Sequence, residues 1–379
     1  MTIYWKLNGS KDHPLQANKD HNGSNGLPSQ ASTSGLSGSN NPAIKEAAQL
    51  LQRGETVAFP TETVYGLGAD ATQTQAVKRV FIAKGRPSDN PLIVHIAEKS
   101  QLAGLVAPPD ETILRLMDAF WPGPLTIILP VLPGAVSPLV TTGLNTVGVR
   151  IPDHPVALEL LKEAGCPIAA PSANSSGRPS PTHAEHVAAD LQGKIGGILD
   201  GGPTGVGLES TVVELKENGL YILRPGGVTA EQLQATLPDT VIRKPDSNIE
   251  IAGTETPRAP GMKYAHYAPK GELQLVESAS PERAAEWIRR ELAAAKQRGE
   301  TTGVLTFQEH QSWYAADLVI PCGRLSAPET IAHELYAALR LFDRKGISYI
   351  LAETCPREGI GLAVMNRLEK AAGHRIAQI

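Results

Sequence analysis

Residues 83–96 read AKGRPSDNPLIVHI and place the end of a predicted helix, a stiff polar loop and an apolar strand in direct succession. Lys84 and Arg86 stand two residues apart, and Pro87 and Pro91 restrict the backbone that follows. In extended geometry both cations can reach one face, where Arg supplies a planar fork for phosphate and Lys a point charge. We therefore predict an anion-binding loop, with a solvated basic turn as the alternative.

Two further polar segments follow predicted strands. The first, APSANSSGRPSPT at residues 170–182, has the composition of loops that aim backbone N–H groups and hydroxyls at anions, although a capped turn also fits. It is neither a Walker A loop nor a GxGxxG fingerprint. The second, FPTETVYGLGAD at residues 59–70, places threonine hydroxyls where open α/β sheets bind ligands, and a plain glycine turn is its alternative.

Around these loops, short apolar strands alternate with amphipathic helices. The segment PAIKEAAQLLQRG, residues 42–54, carries a helical apolar stripe with Pro42 near its start and Gly54 past its end. The alternation predicts the α/β class, with a first sheet that is partly parallel and partly antiparallel. A second alternation, after residue 270, predicts a smaller doubly wound unit.

The length of 379 residues favours two domains. The first forty residues are rich in Ser, Asn and Gly and cannot bury much apolar surface, although Ile3, Tyr4 and Trp5 could dock. Prolines punctuate the stretch between the two alternations, which is typical of a linker. We predict a flexible segment at 1–41, a catalytic domain at 42–237, a linker at 238–270 and a C-terminal domain at 271–379.

Composition narrows the functional classes. The formal net charge is −4, which disfavours bulk electrostatic binding of nucleic acid but allows a local basic patch. The 3 cysteines are far apart and show no metal-ligand spacing, so we expect no metal site and no disulfide framework, and a reduced cytoplasmic setting. No apolar run approaches the ~20 residues that span a bilayer, and the start lacks a signal-peptide core.

Two charged or titratable side chains interrupt predicted apolar strands. His95 lies inside LIVHI, where a lone His is more often structural than functional. Arg150 ends the strand TVGVR and needs an anionic partner or water. A substrate carboxylate and a structural ion pair with Asp153 or Glu159 are both open for Arg150.

With these segments in hand, the chain resembles the YrdC family in its long two-domain form, the threonylcarbamoyl-AMP synthases. The resemblance rests on motifs that occur in the family's order, which is more specific than any single motif. They are FPTETVYGLGAD, KGRPSDNPLIVHI, WPGPLTIIL, NTVGVRIPDHP, PIAAPSANSSGRPSPT, GLESTVV, LRPG and PRAPGMKYAHYAP. The resemblance to this family implies a twisted mixed-sheet catalytic domain and a Rossmann-like C-terminal domain.

The resemblance also implies a reaction. L-Threonine, bicarbonate and ATP, accompanied by Mg²⁺, would give threonylcarbamoyl-adenylate and pyrophosphate. A separate transferase would then use the product to modify adenosine beside the anticodon of certain tRNAs. Because the threonine amine is itself the nucleophile, the absence of a catalytic triad from the sequence fits this chemistry.

Site residues follow by motif matching. Lys84 and Arg86 would neutralise phosphate charge, and we expect both in a solvated loop, so that alanine at either position would abolish adenylate formation without unfolding the protein. The threonine contacts would be Thr63, with Thr61 as an unresolved neighbour, and His95, Arg150 and Ser210. The nucleotide contacts would be Asn90, Thr146, Ser172, Asn174, Ser180 and Arg224, with Tyr264 or Tyr267 of KYAHYAP as a lid or, alternatively, as interdomain packing.

Two other functions compete with the synthase. A non-catalytic RNA-binding module of the translation machinery could use the same basic concavity, but the acidic balance and the lack of an RNP-type aromatic motif count against it. A carbamoyl-phosphate-handling transferase or maturation factor is the third hypothesis. The separate C-terminal domain and its linker motif favour the synthase.

Overall fold

The computed structural model describes residues 1–7, 39–244 and 267–379. The strands of the first unit are β1 (Ile3–Lys6), β2 (Val57–Phe59), β3 (Gly66–Asp70), β4 (Ile93–His95), β5 (Leu125–Pro130), β6 (Thr146–Arg150), β7 (Ile168–Ala169), β8 (Gly197–Asp200), β9 (Thr211–Lys216), β10 (Gly219–Arg224) and β11 (Ile242–Arg243). Its helices are α1 (Pro42–Gln52), α2 (Thr74–Lys84), α3 (Glu111–Phe120), α4 (Pro138–Thr141), α5 (Pro155–Ala164), α6 (Ala184–Leu191) and α7 (Ala230–Thr236).

The eleven strands of this unit form one mixed sheet in the order β1-β8-β2-β3-β7-β4-β6-β5-β9-β10-β11. Its centre positions the site, because β4 and β6 are parallel neighbours in which His95 pairs with Arg150. β9 runs antiparallel to β10 and parallel to β5, and β5 runs antiparallel to β6. The ends of β4, β6 and β10 and the start of β9 therefore share one edge of the sheet.

Helices cover both faces of the mixed sheet. On β2, Val57 and Phe59 pack with α1 and α5, whereas Ala58 belongs to the cluster that contains α2, α3, α6 and α7. This alternation follows from the period of two along a strand. Helix α1 begins at Pro42, as predicted, and the Asn41 side chain caps its first turn.

The second unit is a five-stranded parallel sheet in the order β14-β13-β15-β12-β16. Helix α8 packs on one face, and α9 and α10 pack on the other, which confirms the predicted doubly wound class. The strands are β12 (Glu272–Glu277), β13 (Thr302–Thr306), β14 (Leu318–Pro321), β15 (Tyr349–Glu353) and β16 (Ile376–Gln378), and the helices are α8 (Pro281–Gln297), α9 (Pro328–Lys345) and α10 (Gly361–Ala371).

Two strands lie close to the predicted domain boundaries. Within the segment 1–41, Ile3–Lys6 form β1, which pairs with β8 at the sheet edge, in keeping with the docking allowed for Ile3, Tyr4 and Trp5, and residues 8–38 lie outside the described residues. The Tyr4 hydroxyl donates to Asp200 at 2.8 Å and the Trp5 indole to Glu46 at 2.9 Å, so polar tips of aromatic residues hold the strand. At the other boundary, β11 extends the sheet past residue 237, and residues 245–266 of the predicted linker lie outside the described residues.

Within the described ranges, none of the helices combines the length and the apolar character that a membrane crossing requires.

Candidate active site

A cleft crosses the face of the mixed sheet, and the empty space in it, including space open to solvent, amounts to about 720 Å³. Three strands of the sheet, β3, β4 and β6, contribute to its walls, together with the end of α2 and the end of β10. Most of the remaining wall residues lie in the loops after β2 and β7 and in the loop before β9. The polar residues that line it are Thr61, Thr63, Lys84, Arg86, His95, Arg150, Ser172, Asn174, Ser176, Arg178, Glu209, Ser210, Arg224 and Tyr267. The segments singled out in the sequence therefore converge on one concave surface.

Lys84 is the last residue of α2, which ends there because Gly85 adopts the left-handed conformation with φ of 61°. Its ammonium donates to the carbonyl oxygen of Ser172 and, at 2.6 Å, to that of Asn174. The expectation of a solvated lysine was wrong, because Lys84 is only 4% exposed. Burial lowers the pKa of Lys84 well below its ordinary value, and the charge of Arg86 lowers it further. Lys84 thus joins the two polar loops from beneath the cleft.

Arg86 is half-buried, and its guanidinium lines the cleft while one nitrogen donates to the Pro91 carbonyl at 3.2 Å. This contact keeps the guanidinium beside the start of β4. Asn90 is 1% exposed, and both polar atoms of its amide lack a hydrogen-bond partner within the described residues. Asn90 lies next to Arg86 in this loop but is not among the residues that line the cleft.

The loop after β7 is held by its own side chains. The Asn174 amide nitrogen donates to the carbonyl oxygens of Ser175 and Arg178, each at 2.9 Å, and Ser172 donates to Asn174 Oδ1 at 2.6 Å. Ser180 is fully buried and donates to Glu209 at 2.6 Å, so it stands behind the cleft surface.

Arg150 is 3% exposed at the end of β6. Its guanidinium pairs with Glu62 at 2.6 Å and donates to the Thr63 hydroxyl at 3.1 Å. The structural partner is therefore Glu62, and neither Asp153 nor Glu159 fills that role. Thr61 donates to the Val64 carbonyl at 2.7 Å, so its hydroxyl shapes the turn while that of Thr63 meets Arg150.

His95 is buried at the end of β4, and its Nδ1 has no hydrogen-bond partner within the described residues. Burial lowers the pKa of His95 to about 3, and the neighbouring Arg150 charge acts in the same direction. The imidazole is therefore neutral near pH 7 and can accept or donate one hydrogen bond in the cleft.

At the same sheet edge, Ser210 and Arg224 contact each other. The Arg224 guanidinium donates to the Ser210 carbonyl at 2.9 Å and to its hydroxyl at 3.1 Å. The Thr126 and Ser210 hydroxyls are 2.8 Å apart. Ser210 and Arg224 thus add one hydroxyl and one cation to the cleft that His95 and Arg150 also line.

Of the fourteen predicted site residues that the structure describes, eleven line the cleft and three do not. Thr146 lies at the opposite end of β6 from Arg150, Asn90 and Ser180 lie behind the surface, and Tyr264 lies outside the described residues. Within the described residues, no group of three or more His, Cys, Asp or Glu side chains is placed to hold a metal ion.

Several site residues escaped the sequence analysis. Glu62 and Glu209 lie in quoted motifs, and a carboxylate within a glycine-rich or β-forming stretch is the signal that could have marked them. Arg367 interrupts the buried stripe of α10, where Val364 and Leu368 are its apolar neighbours. A charge on an apolar helical face needs a partner, but nothing local identifies that partner.

Known families and relatives match both units of the chain. Residues 49–226 match the Sua5/YciO/YrdC family model, described as telomere recombination, and residues 228–373 match the model of the threonylcarbamoyl-AMP synthase C-terminal domain. A threonylcarbamoyl-AMP synthase of Bacillus subtilis (strain 168) is 55% identical over 89% of this chain and 95% of its own length.

A threonylcarbamoyl-AMP synthase of Pyrococcus abyssi (strain GE5 / Orsay) is 46% identical over 89% of this chain and 96% of its own length. The crystal structure of P. abyssi Sua5 complexed with L-threonine has a TM-score of 0.82 and 46% identity, and covers 89% of this chain and 96% of that chain. These matches confirm the resemblance to the YrdC family and the two-domain fold. The chain belongs to the threonylcarbamoyl-AMP synthase family, in its form with a C-terminal Sua5 domain.

Proposed function

We propose that this protein synthesises L-threonylcarbamoyl-adenylate from L-threonine, bicarbonate and ATP and releases pyrophosphate. The observation that carries the proposal is the cleft itself, where guanidinium groups from four separate segments line one concave surface beside hydroxyl and amide groups. Such a surface suits a triphosphate next to a small zwitterion, because fixed charges there need no reorganisation during reaction. Family membership and the threonine complex of the P. abyssi relative support the same assignment.

Threonine would bind at the sheet edge formed by the ends of β4 and β6. Arg150 would take the carboxylate while Glu62 and Thr63 hold the guanidinium in place. Neutral His95 could accept a hydrogen bond from the amine without repelling it, and Ser210 offers a hydroxyl beside it. Thr61 would act on this subsite through the turn that it shapes.

The nucleotide would extend from this edge along β6. Thr146 and Arg150 are four residues apart on the same face of the strand, a separation of roughly 13 Å. A nucleotide is long enough to cover that distance. Arg86 and Arg224 would neutralise phosphate charge, and Ser172 and Asn174 would line its path, with Tyr267 at the wall. Asn90 and Ser180 would act on the nucleotide site from behind the cleft surface, and Tyr264 remains a candidate nucleotide contact.

The proposed reaction needs no protein nucleophile. The unprotonated threonine amine attacks the carbon of bicarbonate or carbon dioxide to form a carbamate. With bicarbonate, a hydroxyl group leaves with the N–H proton as water, and with carbon dioxide that proton passes to solvent. A carbamate oxygen then bonds to the α-phosphorus as the bond to the β-phosphate oxygen breaks, so pyrophosphate departs with that electron pair. Positioning of three small reactants can supply on the order of 7–11 kcal/mol in favourable cases. Arg86 would be a catalytic residue, and Lys84 would act through the loop that it holds.

Mg²⁺ enters this proposal as part of the ATP substrate. Glu209 is a carboxylate that lines the cleft, but both of its oxygens already accept hydrogen bonds from protein donors. A metal carried by the nucleotide would therefore rely on phosphate oxygens and water, as Mg²⁺ commonly does.

We also propose the cellular context that the reaction class implies. The product would pass to a transferase that builds threonylcarbamoyladenosine in tRNA, and the protein would work in the cytoplasm. The three free cysteines are compatible with a reducing setting.

The decisive experiment incubates the purified protein with MgATP, labelled bicarbonate and L-threonine. We expect threonine-dependent pyrophosphate release and label in a product that contains adenylate. L-Serine and omission of bicarbonate are the controls. Salt-sensitive RNA binding without any turnover would overturn the proposal and favour the RNA-binding alternative.

A further inference from the structure

Helices α9 and α10 of the C-terminal unit present polar side chains to the cleft of the first unit. Tyr336 and Arg367 are fully buried, and Arg340 is only 3% exposed. A fully buried arginine requires an anionic or carbonyl partner that compensates for its desolvation. In all three cases at least one partner lies in a loop that builds the cleft: Glu209 for Tyr336 and Arg367, and the Pro179 carbonyl for Arg340.

Glu209 is the centre of these contacts. Tyr336 donates to its two carboxylate oxygens at 3.0 and 2.8 Å, and the Arg367 Nε donates to Oε2 at 2.8 Å. Ser180, from the first unit, supplies the remaining donor. Burial alone would raise the pKa of Glu209, but the charges of Arg367 and Arg224 outweigh it and lower this pKa to about 2. Glu209 is thus a fixed anion, and the C-terminal unit provides much of its compensation.

Arg367 contacts a second cleft segment at the same time. One of its terminal nitrogens donates to the Pro225 carbonyl at 3.0 Å. Glu209 immediately precedes Ser210, and Pro225 immediately follows Arg224. The Arg367 guanidinium therefore contacts both segments: the one that carries Ser210, the proposed threonine contact, and the one that carries Arg224, the proposed phosphate contact.

The backbones of these two segments are in close contact with each other. A Cβ atom on Gly226 would come within 2.3 Å of the Glu209 carbonyl oxygen and 2.4 Å of the Thr211 nitrogen. Arg224 also donates to the Ser210 carbonyl across the same contact. A shift of either segment would therefore move both Ser210 and Arg224.

Arg340 repeats this arrangement at the neighbouring loop. It pairs with Asp190 at 2.8 Å and also donates to the Pro179 carbonyl. Arg178, which lines the cleft, pairs with the same Asp190 and with Asp343 of α9. Two separate points of the cleft wall are thus anchored to the C-terminal unit.

We propose that Arg367 and Tyr336 are positioning residues for the reaction, which hold Glu209 so that Ser210 and Arg224 face threonine and nucleotide. The C-terminal unit then completes the geometry and the charge balance of the active site of the first unit. This inference rests on the proposed synthase function. Loss of Arg367 would leave the Glu209 carboxylate without its main counter-charge beside a site for anions.

The test uses the full chain with Arg367→Met and, as the matched control, Arg357→Met. Arg357 also belongs to the C-terminal unit, but its partners are the surface carboxylates Glu277 and Glu369. We expect Arg367→Met to weaken threonine and ATP binding, measured by calorimetry, by roughly tenfold or more, as losses of such supporting contacts commonly do. Arg357→Met should bind both ligands like the wild type.

Two further variants keep the test decisive if Arg367→Met folds poorly. Tyr336→Phe keeps the packing and removes only the hydroxyl that contacts Glu209, so a few-fold loss of affinity is expected in a folded protein. Arg367→Lys keeps the charge but cannot reach both Glu209 and Pro225 with a planar fork, so it should bind with intermediate affinity.

A pH series separates positioning from mere structural support. In Arg367→Met, ligand affinity should improve as pH falls, because protonation of Glu209 removes the uncompensated anion. Glu209→Gln added to Arg367→Met should abolish this pH dependence and restore part of the affinity. The titratable or charged groups that face Glu209 are Lys84 from α2, Arg224 from β10, Tyr267, Tyr336 from α9, and Arg367 and Lys370 from α10.

The outcomes distinguish this inference from the proposed function. If the wild type neither binds threonine nor forms product, the synthase assignment fails. If the wild type is active, and Arg367→Met and Tyr336→Phe match Arg357→Met in both affinities, the positioning role is overturned. A lower melting temperature with unchanged affinities and no pH dependence would likewise overturn it.

Discussion

Both units of this protein place polar side chains at the ends of β-strands. In the first unit these side chains line an open cleft, whereas in the C-terminal unit they contact one another. In the C-terminal unit, Glu353 ends β15 and is 5% exposed. Thr306 donates to one of its oxygens, and Tyr314, at 2.7 Å, donates to the other. The His310 ring, 3.0 Å from the same carboxylate, stacks on Trp313.

The cleft of the first unit differs in what its polar atoms contact. The Nδ1 of His95 and the Nε of Arg150 have no hydrogen-bond partner within the described residues, although both side chains are buried. Buried polar atoms normally find partners, and an unsatisfied group at a functional site is a candidate for contact with a ligand. In the C-terminal unit, the turn at 308–313 instead brings protein groups to the strand ends.

The C-terminal unit has a sheet topology that often binds ligands, yet protein groups contact its strand ends. β13 and β15 are neighbours whose connections leave in opposite directions, toward β14 and toward β16, and open α/β sheets usually bind ligands at such a point. Here His310 and Tyr314 reach Glu353 at that point. The predictions below ask whether cleft residues control chemistry and whether the Glu353 cluster controls stability.

The largest effect is expected at Arg86. Arg86→Ala should reduce threonine-dependent pyrophosphate release by about 100-fold or more, because a preorganised cation at the developing phosphate charge is lost. Thermal unfolding should stay close to that of the wild type, since Arg86 is half-exposed. Arg79→Ala, on the exposed face of the preceding helix, is the control and should keep full activity. Residual activity near the control level would remove Arg86 from the mechanism.

Lys84 should behave differently from Arg86 although both lie in the cleft. Lys84→Met leaves the Ser172 and Asn174 carbonyls without their donor, so we expect a loss of activity together with about 1–3 kcal/mol of unfolding free energy. Denaturant titration and pyrophosphate release measure the two effects. Lys78→Met, at an exposed position of the same helix, is the control. If Lys84→Met were inactive but as stable as the wild type, Lys84 would act by its charge alone and would not hold the loop.

The third prediction concerns pH and His95. Its pKa is about 3 in the folded protein and about 6.5 in the unfolded chain, so the unfolded state binds more protons between those values. The free energy of unfolding should therefore fall as pH decreases below 6.5, by up to about 1.4 kcal/mol per pH unit from this group.

Replacement of His95 by Asn should remove that contribution. The difference in unfolding free energy between wild type and His95→Asn should change steadily between pH 7 and pH 5, as measured by denaturant titration. His374→Asn, at an exposed position, is the matched control substitution. Parallel curves for the wild type and His95→Asn would show that His95 is not held neutral by burial.

The smallest effect on activity is expected in the Glu353 cluster. Glu353→Gln should cost about 1–2 kcal/mol of stability, because charged hydrogen bonds become neutral ones and one donor loses its acceptor. Threonine-dependent turnover should change by less than about twofold, because Glu353 does not line the cleft and substitutions away from a site usually have small effects. A large loss of turnover with little loss of stability would mean that the C-terminal strand ends form a second functional site.

Much of the site was predictable because the chemistry is local to short motifs. Arg86, Ser172 and Asn174 lie in stiff polar loops directly beside apolar strands. That pattern predicts an anion-binding surface without any knowledge of the fold, and the three residues do line one cleft. The α/β class and the start of α1 at Pro42 also followed from periodicity and capping, which depend on neighbouring residues alone.

The sequence by itself therefore determined the element types, the family and the segments that line the cleft. Only the tertiary structure decided which partner each buried charge has: Lys84 turns to two carbonyl oxygens, Arg150 pairs with Glu62, and Glu209 is held by Arg367 from another unit. The physical reason is that a buried charge must be compensated by whatever group packing brings to it, and Glu209 and Arg367 are 158 positions apart in the chain. Local patterns show that a partner is needed, and packing alone selects it.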